Sequence, residues 1–131
     1  MSRTELLFTA ISTYLDAIYY CDVEKLDAVF HPSSTLFDAD NGEIFVDPIA
    51  SFRADVASRP SPASFNQKRY DQIITIDWLS PLSTTVKLRL HSRTSIFVDH
   101  LNFVWDEQRG WQIVAKIWHL EGACELEVIP A

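Results

Sequence analysis

The stretch Thr84–Trp105, TTVKLRLHSRTSIFVDHLNFVW, decides the fold class. In its first half, Val86, Leu88 and Leu90 alternate with polar residues. Its second half repeats the alternation, and one face there carries Phe97, Asp99, Leu101, Phe103 and Trp105. A period of two is typical of β-strands buried on one side. The stretch therefore predicts two neighbouring antiparallel strands.

The same pattern extends in both directions from this pair of strands. It predicts four strands in the second half of the chain, at about Gln67–Leu79, Thr84–Arg93, Ser95–Trp105 and Trp111–His119. Serine, proline, glycine and charged residues fill the connecting turns. In the last strand, parity places Ile113, Ile117 and His119 on the inner face, and Lys116 and Trp118 on the outer face. An outward Trp indicates an interface on that outer face.

Upstream of residue 66 the apolar residues follow helical spacing. Ser2 and Glu5 form a capping box that starts the first helix. Its apolar stripe consists of Leu7, Ile11, Tyr14, Leu15 and Ile18. Asp22 is the predicted N-cap of a second helix at Val23–Val29, and Asp47 is the predicted N-cap of a third helix.

Two short strands, Thr35–Asp38 and Glu43–Val46, are predicted between the second and third helices. Helices followed by a run of antiparallel strands predict an α+β fold with the helices on one face of a curved sheet. Residues 1–131 contain no repeat and no interior linker, so we expect a single domain. A long curved sheet with helices across it leaves a cavity at its open end.

Composition excludes several classes of function. Eleven Lys and Arg against 18 Asp and Glu give a net charge of −7, which argues against a nucleic-acid partner. No apolar run approaches the length of a membrane span, and the N-terminus lacks a signal-peptide pattern, so we expect a cytoplasmic protein without a membrane partner. Cys21 and Cys124 are either free thiols or one disulfide. The histidine spacing and the few glycines predict no metal and no cofactor.

Several motifs together resemble one known superfamily. Tyr14–Ala17, Cys21–Leu26 and Val29–Pro32 are similar to the opening of the nuclear transport factor 2-like superfamily. Phe97–Leu101 and Trp111–His119 resemble its SnoaL-like and "putative lumazine-binding" branches. The resemblance covers nearly the whole chain. It implies a cystatin-like cone-shaped barrel, a pocket between sheet and helices, and a homodimer through the outer sheet face.

The superfamily includes ketosteroid isomerases, which carry a Tyr on helix 1, an Asp on the strand after helix 2, and a second Asp late in the sheet. Tyr14, Asp38 and Asp99 stand in the corresponding elements of this sequence. The resemblance implies that Asp38 is a base that removes a proton next to a carbonyl. Tyr14 and a protonated Asp99 would then donate hydrogen bonds to the enolate oxygen.

Each of these residues has a structural alternative. Tyr14 lies on the buried stripe of helix 1, where a core tyrosine with a satisfied hydroxyl is the commoner case. Asp38 is followed by Ala39, where such isomerases usually have proline, and its carboxylate can cap a hairpin turn instead. Asp99 can pair with His119, because both have inward parity; the pair would be structural or would make His119 the general base.

Aromatic and aliphatic residues predict the pocket lining: Phe37, Phe45, Phe52, Phe97, Leu101, Phe103 and Ile117. The first hypothesis is a pocket protein performing acid–base isomerisation, dehydration or cyclisation of a small hydrophobic carbonyl or hydroxyl compound. The second is a non-catalytic ligand-binding or dimeric accessory protein. The third is a protein-interaction module that uses the outer sheet face.

Overall fold

The computed structural model describes residues 1–130. The helices are α1 (Arg3–Tyr20), α2 (Val23–Val29), α3 (Ile49–Ser58) and a 3-10 helix, Pro62–Phe65. The strands are β1 (Phe30–Asp38), β2 (Phe45–Pro48), β3 (Asp71–Ser80), β4 (Ser83–Ser92), β5 (Ser95–Asp106) and β6 (Gly110–Ala123). The predicted α+β class, with three N-terminal helices, is confirmed.

All six strands form one sheet in the order β2-β1-β6-β5-β4-β3. Every neighbouring pair is antiparallel except β1 and β6, which run parallel. The outermost strands, β2 and β3, do not pair with each other, so the curved sheet is open rather than a closed barrel. The helices cover one side of the sheet, which we call the inner face, and the core lies between them.

Helix α1 begins and packs as its sequence predicts. Ser2 Oγ accepts a hydrogen bond from the Glu5 backbone N–H, and the Glu5 carboxylate accepts one in return, so the capping box is present. Helical spacing turns Leu7, Ile11 and Tyr14 toward the sheet, where they are buried. Tyr14 is therefore held in the core by the helix itself.

The segment before α3 differs from the sequence prediction. Pro48, and not Asp47, occupies the N-cap position of α3, and no side chain caps that end. Asp47 belongs to β2, opposite Leu36 of β1. Since directly opposite residues of an antiparallel pair share a face, Asp47 lies on the inner face with Leu36, and it is buried. The predicted cap is thus a carboxylate facing the interior.

A β-bulge in β6 reverses the parity of its second half. Phe103 of β5 pairs with Ile113, but the next residue, Asn102, pairs with Ala115, so Val114 has no partner on β5. One extra residue moves every following side chain to the opposite face. Downstream of the bulge, Lys116 and Trp118 therefore lie on the inner face, opposite Leu101 and Asp99. This reverses the predicted orientation of the end of β6.

None of the helices within residues 1–130 combines the length and hydropathy that crossing a membrane requires. Cys21 and Cys124 are both free thiols, so the disulfide alternative does not hold.

Candidate functional site

A partly enclosed cavity of about 390 Å³ lies between α1, α3 and the inner face of the sheet. Its apolar wall consists of Ile18, Phe45, Phe52, Leu90, Phe97 and Trp118. Its polar and charged wall includes Tyr14, Asp47, Asp55, Arg59, Asp99 and Lys116. Cavities of this size, mostly apolar with a few convergent polar groups, are typical of small-molecule sites.

Three polar side chains from three elements meet in the wall of this cavity, and we call them the inner cluster: Tyr14, Asp99 and Lys116. Tyr14 reaches in from the buried stripe of α1. Asp99 is turned inward by the alternation of β5, and Lys116 by the bulge in β6. Sequence separations of 85 and 17 residues are bridged only in the folded chain.

The Tyr14 hydroxyl donates a hydrogen bond of 2.5 Å to Asp99 Oδ2. Both residues are buried, with exposed fractions of 0% and 1%. Burial raises the pKa of Tyr14 well above its ordinary value, and the Asp99 charge and hydrogen bond raise it further. The phenol therefore keeps its proton and acts as a donor.

The Lys116 amine lies 3.8 Å from the same Asp99 Oδ2, at the distance of an ion pair but too far for a hydrogen bond. It also lies 4.7 Å from the ring centroid of Phe52, 5.3 Å from that of Tyr14 and 5.9 Å from that of Trp118. Burial lowers the pKa of Lys116, although the Asp99 carboxylate opposes that effect. The cation is thus held mainly by a carboxylate and ring faces instead of water.

The second oxygen of Asp99 is buried and has no hydrogen-bond partner among residues 1–130. Buried polar atoms are nearly always hydrogen-bonded, since an unpaired one costs about 1–3 kcal/mol. Asp99 lies in the wall of the cavity. A ligand that donates a hydrogen bond to this oxygen would remove that cost.

Further charges lie around the cluster. Asp47 lines the cavity from β2, and its carboxylate raises the pKa of Lys116, whereas the cation of Arg59 lowers it. Arg59 is paired with Asp55 at 3.8 Å, at the C-terminal end of α3. The cavity therefore contains charges of both signs.

Asp38 does not line the cavity. It lies on the inner face opposite Phe45, but its side chain borders a separate, more open depression with Asn41, Glu43 and Ile44. Its Oδ1 accepts a hydrogen bond of 3.0 Å from the backbone N–H of Asp40. This arrangement agrees with the alternative in which Asp38 caps a turn.

His119 does not meet Asp99. Its side chain is 63% exposed, and Nδ1 lies 2.7 Å from Asp40 Oδ1. The predicted Asp99–His119 pair is wrong because the bulge at Val114 turns His119 to the outer face and puts Trp118 opposite Asp99.

The seven predicted pocket residues fall into three groups. Phe45, Phe52 and Phe97 line the cavity. Leu101 and Phe103 are buried in the core and do not line it. Phe37 and Ile117 pair with each other on the outer face, so their predicted place in the pocket is wrong. Ile117 is displaced by the bulge, and Phe37 alternates with inward Leu36.

Sequence reasoning missed Lys116, Trp118 and Asp47. The consecutive apolar residues Ile113-Val114-Ala115 interrupt the alternation of β6, and that interruption is the signal of a bulge. Asp47 is two residues from Phe45, a spacing that gives both the same strand face. No group of three His, Cys, Asp or Glu side chains placed to hold a metal ion occurs within residues 1–130.

An open, curved α+β sheet with three helices and a cavity on its inner face defines the nuclear transport factor 2-like class. The chain matches the family described as "Putative lumazine-binding" over residues 2–119 and belongs to that family. The predicted superfamily is thereby confirmed. A search of curated proteins gave no match.

Solved structures with the same fold agree with this assignment. A nuclear transport factor 2-like protein of unknown function from Silicibacter pomeroyi DSS-3 is 18% identical, with a TM-score of 0.78 over 92% of this chain and 100% of that one. A cystatin-like fold protein from Burkholderia xenovorans LB400 is 17% identical, with a TM-score of 0.65 over 95% and 91%.

A ketosteroid isomerase-like protein from Erwinia carotovora atroseptica SCRI1043 is 12% identical, with a TM-score of 0.66 over 87% of this chain and 92% of that one. At these identities the likeness shows the fold alone. It confirms the architecture in which the cavity lies.

Proposed function

We propose that the protein binds a small, largely apolar molecule in the cavity between α1, α3 and the sheet. The molecule carries a carbonyl or hydroxyl group that contacts the inner cluster. One observation carries the proposal: Asp99, which lines an aromatic-lined cavity of about 390 Å³, has a buried oxygen without a hydrogen-bond partner. An apolar body would pack on Phe52, Phe97 and Trp118, and burial of its surface would supply most of the binding free energy.

The experiment compares two tryptophan substitutions on α3, with 2-naphthol as the probe. Ser51 lines the cavity, whereas Ala54 is exposed on the same helix and does not line it. We expect Ser51→Trp to weaken 2-naphthol binding by at least about tenfold, or 1.4 kcal/mol, because the indole occupies the cavity. Ala54→Trp should bind like the original protein. Equal affinities for both variants, measured by NMR titration, would place the probe elsewhere.

A second candidate function is acid–base catalysis on the bound molecule, as an isomerase, dehydratase or cyclase without a cofactor. The observation that favours it is the combination of a buried donor, the Lys116 ammonium, with a separate carboxylate, Asp47, in one cavity. Donors fixed in a buried site stabilise a developing oxyanion better than water does. Asp47 would act as the base in place of Asp38, which borders another depression. Loss of turnover in Asp47→Asn, with retained 2-naphthol binding, would support this role.

A homodimer through the outer sheet face remains part of the proposal. Lys116 and Trp118 point inward and do not contribute to that face, but Val46, Val104, Val114 and Ile117 are exposed there. Apolar side chains grouped on a sheet face are typical of an interface. Sedimentation analysis should show a dimer that Ile117→Lys dissociates; a monomeric original protein would contradict the dimer.

A cytoplasmic location likewise stays a prediction.

A further inference from the structure

Lys116 differs from the other lysines of the chain in its surroundings. The Lys25 side chain is 42% exposed and pairs with Asp16 on the surface. The pKa of Lys68 is raised by its hydrogen bond and charge interaction with Tyr70. Lys116 is 6% exposed, faces the cavity and has a lowered pKa. A lysine in a low-dielectric pocket is the kind of amine that proteins use as a nucleophile.

We propose that Lys116 forms a reversible imine with an aldehyde or ketone group of a molecule held in the cavity. The inference rests on the proposed function, because the carbonyl compound must first enter the cavity. It deepens that function by naming a ligand class and a covalent step. The geometry carries it: the amine lies in the cavity wall, 3.8 Å from the Asp99 carboxylate. A small movement of the flexible lysine side chain brings the two groups within hydrogen-bond distance, where the carboxylate can accept and return protons.

The step balances without an oxidant or reductant. The Lys116 ammonium gives one proton to Asp99 Oδ2, and the free electron pair of the nitrogen attacks the carbonyl carbon. The carbonyl oxygen takes that proton back from Asp99 and becomes a hydroxyl. A second nitrogen proton then reaches this oxygen through Asp99, the C–O bond breaks and water leaves. The product is a protonated imine that keeps the third proton of the ammonium.

The surroundings of Lys116 stabilise both the reactant ammonium and the product iminium. The iminium has the same single positive charge as the ammonium, so Asp99 and the rings of Phe52, Tyr14 and Trp118 stabilise it in the same way. Tyr14 keeps its own proton and holds the Asp99 carboxylate in place by its hydrogen bond.

Several charges control the fraction of neutral amine. Burial and the Arg59 cation lower the pKa of Lys116, whereas Asp99 and Asp47 raise it. The net direction is downward, which favours the nucleophilic form over that of an exposed lysine.

The test treats the full chain with benzaldehyde and sodium cyanoborohydride, which reduces an imine to a stable benzylamine. Intact mass and peptide mapping then identify the modified residue. We expect Lys116 to acquire one benzyl group at least about tenfold faster than Lys25, Lys68 or Lys87. Lys116→Met should lose this label, and Lys87→Met, which removes a lysine from the outer face of β4, should retain it. Labelling of the surface lysines without Lys116 would overturn the proposal.

Benzyl alcohol separates this proposal from the proposed function. It has the size of benzaldehyde but no carbonyl, so it can occupy the cavity without forming an imine. Excess benzyl alcohol should slow labelling of Lys116 and leave that of Lys87 unchanged. If benzyl alcohol binds in the cavity but benzaldehyde does not label Lys116, the imine is wrong and the binding function stands. If neither molecule binds, the proposed function fails as well.

Discussion

Two ion pairs each join an acidic side chain to a basic residue of β6. One pair is buried and the other is exposed to solvent. Asp99 and Lys116 are both buried on the inner face, 3.8 Å apart. Asp40 and His119 meet at 2.7 Å on the solvent side, where the histidine is 63% exposed. Lys116 and His119 lie only three positions apart on β6. An odd spacing puts the two residues on opposite faces of the strand, and the bulge at Val114 decides that Lys116, and not His119, faces the cavity.

The difference in burial changes what each pair contributes. Water solvates Asp40 and His119 whether or not they meet, so their pairing adds little to stability. Asp99 and Lys116 have lost that hydration, and each now depends on the other and on Tyr14. A buried pair with an unpartnered oxygen is costly to maintain, and we attribute its presence to ligand binding.

The largest expected difference between the two pairs is the loss of unfolding free energy when the acid of each pair is replaced. Asp99→Ala should lower the free energy of unfolding by about 3–5 kcal/mol, because it leaves the Lys116 cation buried without a carboxylate. Asp40→Ala should leave that free energy nearly unchanged. Urea denaturation of both variants checks the contrast. Equal losses would show that the inner cluster is solvated.

Deleting single residues of β6 tests the role of the bulge. Deletion of Val114, which has no partner on β5, keeps Lys116 opposite Leu101 and should preserve the near-UV circular dichroism spectrum and 2-naphthol binding. Deletion of Ile117 would instead put His119 opposite Asp99 and turn Trp118 outward. We expect that deletion to lower the free energy of unfolding by at least about 3 kcal/mol, since the Trp118 ring leaves the inner face. Equal tolerance of both deletions would contradict the described register.

The smallest expected effect concerns the titration of Asp40. The hydrogen bond from the Leu120 backbone N–H and, next, that from His119 hold the pKa of Asp40 below its ordinary value of 3.8. Because the folded pKa is depressed, the stabilisation is present above pH 3.8 and is lost as the pH falls through the folded pKa. An NMR titration of the carboxyl carbon should show a low midpoint in the original chain.

His119→Ala serves as the control for that titration. It should raise the pKa of Asp40 only partly, since the Leu120 N–H, which lies 2.8 Å from Oδ2, remains. A complete return to 3.8 would mean that the histidine alone causes the shift.

Much of the fold could be predicted from local patterns. The capping box at Ser2 and Glu5, the stripe of α1 and the alternation of β5 each depend on neighbouring residues, and each is present in the structure. The same patterns correctly turned Tyr14 and Asp99 inward. The predicted pocket between sheet and helices also placed Phe45, Phe52 and Phe97 correctly in the cavity wall.

The other site residues could not be predicted in this way. Asp38 and Asp47 lie on the same side of neighbouring strands, and strand parity alone does not show that Asp47 borders the cavity and Asp38 does not. Lys116 and His119 exchanged faces because one residue of β6 bulges. Alternation predicts which face each side chain occupies only as far as the next β-bulge, because an extra residue reverses the faces of all that follow.

The sequence by itself determined an α+β chain with Tyr14 and Asp99 directed at its interior, because capping, helical spacing and alternation act between near neighbours. The nuclear transport factor 2-like class followed from the resemblance of several motifs. Only the tertiary structure decided that Lys116 completes the cluster and that Asp38 and His119 stay outside it. The physical reason is that the bulge at Val114 forms where β6 must pair with β1 and β5 at once, and this requirement involves strands far apart in the sequence.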